Sequence, residues 1–108
     1  MRFIGLRDAD PETIVAETLA LNEHQQEIYA ALQGQELTVK DIVDTTGRSR
    51  SVVQRDLQEM LDTGIVMREG RTDRTVYYVY TALPFDRVKQ KVAEILEDWH
   101  ADVQDTLT

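Results

Sequence analysis

Six of the chain's nine arginines fall between Arg48 and Arg74, a stretch with five acids, whereas the other residues carry six Lys or Arg against fifteen acids. One cluster reads Arg48, Ser49, Arg50, Ser51 and continues with Gln54, Arg55 and Gln58; the second is Arg68, Arg71 and Arg74 around Gly70. A guanidinium can bond both acceptors on the major-groove edge of guanine, a glutamine amide can do the same for adenine, and serine hydroxyls suit phosphate oxygens. Singly, each arginine has a plainer explanation, with Arg55 bonded to Glu59 one turn on and Arg71 or Arg74 paired with Asp73. Their joint placement favours contact with double-stranded DNA.

Against this stands the balance of the whole chain: 108 residues, 12 Lys+Arg, 20 Asp+Glu and a net charge of −8. Affinity for nucleic acid comes mainly from cations that displace counterions from phosphates. The excess acid, however, lies almost wholly outside residues 48–74. Nine Arg against three Lys, with eleven Asp and eleven Thr, resembles the composition of a halophilic cytoplasm. In concentrated salt the Debye length falls to about 3 Å, so distant acids would repel DNA little.

Other chemistries fail on inventory. The chain has no cysteine, which excludes disulfides, thiolate metal sites and a cysteine nucleophile. His24 and His100 belong to no metal-binding spacing and are expected on solvated helix faces. The five glycines form no phosphate-binding loop, and Glu97, Asp98 and Asp102 read as a solubilising helix face. The chain is expected to be no enzyme and to need no cofactor or metal. Its longest nearly uncharged apolar stretch, Val76 to Phe85, is half the roughly 20 residues a membrane-spanning helix needs, and Arg7 and Asp8 interrupt any signal-like start. A cytoplasmic protein without a membrane partner is expected.

The elements that must position the two clusters follow from capping and periodicity. Asp10, Pro11 and Glu12 start a short helix with Ile14, Val15, Thr18 and Leu19 along one side. Asn22 and Gln25 have capping-box spacing before Ile28, Tyr29 and Leu32, and Gly34 ends that helix. Thr38 and Asp41 repeat the spacing before a helix of two turns that stops at Gly47. Ser49 caps the next helix, where Val53, Leu57, Met60 and Leu61 face the core while Ser51, Gln54, Arg55 and Gln58 face outward, and Gly64 closes it. Then the period changes. Ile65 to Met67 read as a strand, Glu69 to Asp73 as a turn containing Gly70, and Thr75 to Tyr80 as a β-branched and aromatic strand. Pro84 and Asp86 open a last helix whose residues Phe85, Val88, Val92, Ile95 and Trp99 keep an a/d seam that slips on to Val103 and Leu107.

This order is the layout of a winged helix-turn-helix, an α+β but mainly α fold. Residues 1–20 form an N-terminal extension helix, 21–82 the winged helix-turn-helix, and 83–108 a long C-terminal dimerisation helix. In such a layout the helix of about residues 49–63 enters a major groove, and a wing of about 68–75 lies on the backbone or minor groove. Phe85, Val88, Val92, Ile95, Trp99 and Val103 form more apolar stripe than a small core can cover, which predicts a homodimer.

At these residues the chain resembles the TrmB-like archaeal transcriptional regulators, which share a winged-helix module with MarR-type regulators. The likeness spans about Leu19 to Leu107. It rests on Leu19-Ala-Leu-Asn-Glu and Tyr29-Ala-Ala-Leu, on Arg48-Ser-Arg-Ser-Val-Val with Leu57, on Leu61-Asp-Thr-Gly-Ile-Val, and on Tyr80-Thr-Ala-Leu-Pro. The resemblance implies operator binding as a dimer. Fuller members carry a sugar-binding C-terminal domain; this chain ends after the last helix, so no sensing site is carried over and an effector stays open. The strand through Val76, Tyr77, Tyr78 and Val79 also looks longer than the family's wing. The competing class is a winged-helix protein-interaction module, an adaptor in transcription or chromosome organisation, which would present apolar anchors on the helix that here presents Ser, Gln and Arg.

Overall fold

The computed structural model describes residues 10–107, with side chains through residue 101; Arg7, Asp8 and the side chains of Asp102, Val103 and Leu107 lie outside the described residues. Among the described residues five helices and one antiparallel hairpin follow in chain order: α1 Pro11–Thr18, α2 Glu23–Ala31, α3 Val39–Thr46, α4 Arg50–Thr63, β1 Val66–Asp73, β2 Thr75–Ala82 and α5 Phe85–Leu107. They form a winged helix-turn-helix with an extra helix at each end. Two compact units divide them, Leu21–Pro84 in one and α1 with α5 in the other.

Within Leu21–Pro84 the helix ends are set by local hydrogen bonds. Asn22 and Gln25 form a reciprocal capping box on α2, and Thr38 and Asp41 form another on α3. The two turns of α3 end where Gly47 adopts φ 70° and returns its N–H to the Val43 carbonyl at 2.8 Å, a conformation that costs glycine nothing. That sharp stop lets Ser49 cap α4 two residues later, its Oγ accepting from Val52 N. Ile28, Leu32, Ile42, Val53, Leu57, Met60 and Ile65 are at most 1% exposed and form the core on which α2, α3 and α4 meet. Each such burial contributes about 1.5–3 kcal/mol.

A polar cluster sits at the edge of that core. His24 is 6% exposed and Asp56 1%, with Nδ1 of His24 2.5 Å from Asp56 Oδ2. Asn22 and Gln25 also donate to Asp56, and Gln25 Nε2 donates to Glu59 at 2.7 Å. His24 is therefore not on a solvated face as expected; Asn22 starts α2 so that its first turn meets the middle of α4, and the imidazole partners a buried carboxylate.

The hairpin corrects the expected turn. Strand β1 continues through Asp73, pairing residue by residue from Val66↔Ala82 to Asp73↔Thr75, and Arg74 makes the reversal at φ 61°. Gly70 is a strand residue opposite Tyr78. Glycine had suggested a turn, but Arg68, Gly70 and Thr72 share a face with Tyr80, Tyr78 and Val76, and the β-branched and aromatic β2 extends its partner to match. Leu37 adds a single bridge to the other edge of β2, exchanging both backbone bonds with Tyr80.

In the other unit, Asp10 caps α1 by accepting from Thr13 N at 2.8 Å, and that bond holds its carboxyl below the usual carboxylate value. The helix packs on α5, and Val15, Ala16, Val88 and Val92 are buried. The α5 stripe thus divides. Val88 and Val92 are covered by their own chain and Phe85 is half-buried, while Ile95, Leu96 and Trp99 are exposed at 44%, 46% and 58%.

Candidate nucleic-acid interface

The two arginine clusters lie on α4 and the hairpin, both within Leu21–Pro84. Because Val53, Leu57 and Met60 are locked in the core, the helical period sends Ser51, Gln54, Arg55 and Gln58 outward, and all four are exposed. Arg48, Ser49 and Arg50 are exposed at the helix start. Asp56, the one acid between Arg48 and Gln58, is turned inward against His24. The outward face over these residues therefore presents no carboxylate.

Several of these side chains have intramolecular partners. Ser49 Oγ caps α4 and lies 3.4 Å from Ser51 Oγ. Arg55, 65% exposed, has Nε 3.9 Å from Asp56 Oδ1 rather than reaching Glu59, whose carboxylate accepts from Gln25. Gln58 donates to Asp62 at 3.0 Å.

On the hairpin, the guanidinium of Arg68 lies 4.3 Å above the Tyr78 ring centroid. That stacking holds the side chain on the β2 face. Arg71 donates to Glu36 at 2.9 Å and to Glu69 at 3.4 Å, so its partners are these and not Asp73. The Glu69 bond, with the charges of Glu36 and Glu69, pushes the Arg71 guanidinium above its ordinary value. Arg74 is exposed at the tip. A left-handed conformation costs a residue with a Cβ about 1–2 kcal/mol, and Gly or Asn would avoid that. An arginine kept in that position is a local rule broken at a site where a cation would be useful.

Sequence reasoning missed three side chains nearby. Lys40 on α3 and Tyr77 and Tyr78 on β2 line a groove of about 400 Å3 together with Thr38, Arg50 and Gln54. Nothing in the local pattern marked Lys40, an isolated cation on the helix before α4, and the tyrosines read only as strand formers. Among the described residues no three His, Cys, Asp or Glu come together as a metal site, and no helix is long and apolar enough to cross a membrane.

Comparison with known proteins agrees with this fold. Residues 16–86 match the family described as "Sugar-specific transcriptional regulator TrmB". The uncharacterized protein MJ1082 of Methanocaldococcus jannaschii is 32% identical over 99 residues, which is 90% of this chain and 82% of that protein. A possible transcriptional regulator from Methanosarcina mazei Go1 shares the fold with a TM-score of 0.77 at 14% identity, over 89% of this chain and 84% of that one. ZitR of Lactococcus lactis, solved as a mutant in complex with DNA, does so with a TM-score of 0.55 at 17% identity, over 80% of this chain and 60% of its own. With the family matched from α1 to the start of α5, the chain belongs to the TrmB family of transcriptional regulators.

Proposed function

We propose that the protein is a sequence-specific regulator that binds duplex DNA as a homodimer, with α4 in a major groove and the hairpin on the neighbouring backbone or minor groove. The observation that carries this is the exposure of Arg50, Gln54 and Arg55 on α4 with Arg48 just before its start, while Asp56 is turned inward against His24. Gln54 and Arg55 would read bases, while Ser49, Arg50 and Ser51 position the helix on phosphates. Arg68 and Arg74 would hold the wing to the backbone, and Arg71 contributes less because Glu36 and Glu69 already engage it. An interaction module would need apolar anchors on this face of α4, and the exposed side chains there are polar. The DNA bound by the fold neighbour ZitR supports the same reading.

The exposed part of α5, Ile95, Leu96 and Trp99, would hold the second copy, and a dimer would read half-sites related by two-fold symmetry. The acid excess elsewhere in the chain suits a salt-rich archaeal cytoplasm, where it keeps the surface hydrated and is screened from DNA.

The test is Arg55→Ala, measured by fluorescence anisotropy on a duplex selected by the wild-type protein and on a mixed-sequence duplex. Loss of a two-bond base contact is expected to cost about 1–3 kcal/mol on the selected duplex and little on the mixed one. Equal weakening on both would move Arg55 to the backbone, and no change on either would remove it from the interface.

A further inference from the structure

The helix that carries Arg55 also carries three carboxylates, Asp56, Glu59 and Asp62. Each could pair with an arginine, and each is engaged by an amide or an imidazole instead. Asp56 is met by His24, Asn22 and Gln25, Glu59 accepts from Gln25 Nε2 at 2.7 Å, and Asp62 accepts from Gln58 at 3.0 Å. Glu59 bears most directly on Arg55. The two stand four residues apart on one helix, the spacing at which opposite charges meet along a helix face, and both are exposed. The carboxylate oxygen that Arg55 approaches is nevertheless Oδ1 of Asp56 at 3.9 Å, too far for a hydrogen bond, and its side chain is 65% exposed.

Gln25 accounts for this. It is 3% exposed at the third position of α2, and both ends of its amide are in use. Oε1 accepts from Asn22 N at 3.1 Å to close the capping box, which fixes the side chain and aims Nε2 at α4. Nε2 then donates to Glu59 at 2.7 Å and reaches Asp56 at 3.5 Å. Leaving a buried amide N–H without a partner costs more than an exposed ion pair one helical turn long returns, so the Glu59 carboxylate stays with Gln25. An amide achieves this without burying a charge, as a lysine or arginine at the same place would. We infer that Gln25 is a specificity-determining residue that touches no DNA: by holding Glu59 against α2 it leaves the Arg55 guanidinium free to bond a base. The inference rests on the base-reading role proposed for Arg55 and makes Gln25 its positioning residue, acting through Glu59 from another helix.

Gln25→Met keeps the length of the side chain and the net charge of the protein but removes the donor, so that Glu59 can turn to Arg55. It is compared with the wild type, with Glu59→Gln and with the double variant by anisotropy on the selected and the mixed-sequence duplex, with thermal melting to confirm folding. Gln25→Met is expected to bind the mixed duplex as the wild type does and the selected duplex about two- to fivefold more weakly, the competition an exposed ion pair can exert. Its salt dependence should be unchanged, since no charge is added or removed. Glu59→Gln alone is expected to keep the wild-type preference, because its carboxylate is already withheld, and the double variant should match Glu59→Gln. That rescue separates the proposal from a weakened cap, which neutralising an exposed acid would not repair. If folded Gln25→Met keeps the wild-type preference, loses affinity for both duplexes alike, or is not rescued, while Arg55→Ala loses its preference, the inference fails with the DNA reading intact. If Gln25→Met does not fold, Glu59→Gln decides: an unchanged preference supports the inference, and a raised one shows Glu59 competing for Arg55 despite Gln25, which overturns it. An Arg55→Ala protein with wild-type preference would overturn both the base-reading role and the inference.

Discussion

Asp56→Ala is expected to destabilise the fold by about 3–5 kcal/mol, because it removes one partner of a buried, hydrogen-bonded pair and leaves the other without compensation. Asp56 is 1% exposed and receives hydrogen bonds from His24, Asn22 and Gln25, so the carboxylate joins the first turn of α2 to the middle of α4. Its loss frees three donors at once, and the nearest acid that could replace it, Glu59, is already engaged by Gln25. Urea unfolding at a fixed protein concentration measures the effect. A loss below about 1 kcal/mol, the worth of an exposed pair, would show that the cluster is not buried in solution as it is in the structure. Replacing both partners, with His24→Leu and Asp56→Leu together, is expected to recover much of the stability, since replacing both members of a buried hydrogen-bonded pair by apolar residues of similar shape is often nearly neutral.

The second large effect concerns assembly. Ile95→Asp with Trp99→Asp is expected to convert a dimer into a monomer, raising the dissociation constant about a thousandfold if each position contributes about 2 kcal/mol as a central interface anchor. Val92 is a poor site for this test because it is buried in its own chain, and an acid there would unfold the α1–α5 packing rather than report on a partner. Light scattering decides the question. A monomeric variant that keeps its helical signal and binds the selected duplex much more weakly supports pairing through α5, whereas an unchanged mass in the folded variant removes the claim. Of the expected interface of Phe85, Val88, Val92, Ile95, Trp99 and Val103, Val88 and Val92 are buried in their own chain where α1 packs on α5, which leaves Ile95 and Trp99, with the neighbouring Leu96, exposed for a partner; the side chain of Val103 lies outside the described residues.

Much of the architecture was legible because short-range chemistry sets it. The capping boxes at Asn22 with Gln25 and Thr38 with Asp41 and the cap at Ser49 mark the starts of three helices, and the left-handed glycines at positions 47 and 64 the ends of two of them, while α2 stops at Ala31, short of the expected Gly34. The outward direction of Gln54 and Arg55 followed from the apolar period of Val53, Leu57 and Met60. What escaped was set by contacts distant in sequence. His24 and Asp56 are 32 residues apart, and neither carries a local sign that it would be buried. Arg71 meets Glu36 across 35 residues, so the nearer Asp73 was a misleading partner. The turn was misplaced because Gly70 is the usual punctuation of a hairpin, whereas pairing with Val76, Tyr77 and Tyr78 carries β1 past it. Lys40 lies on a different helix from the arginines it joins at the groove, a relation that appears only once α3, α4 and β2 are folded together.

Selection of duplexes from a randomised pool by the purified wild-type protein, followed by salt titration of the enriched sequence against the unselected pool, tests most directly whether α4 reads DNA. The expected result is an enriched site with two-fold symmetry and half-sites about one helical turn, 10–10.5 base pairs, apart. The protein should bind that site at least about a thousandfold more tightly than the pool, with affinity falling steeply as salt rises. Recovery of unenriched sequence, with no salt-dependent binding at low ionic strength, would contradict the assignment of α4 and the hairpin as a DNA-reading surface.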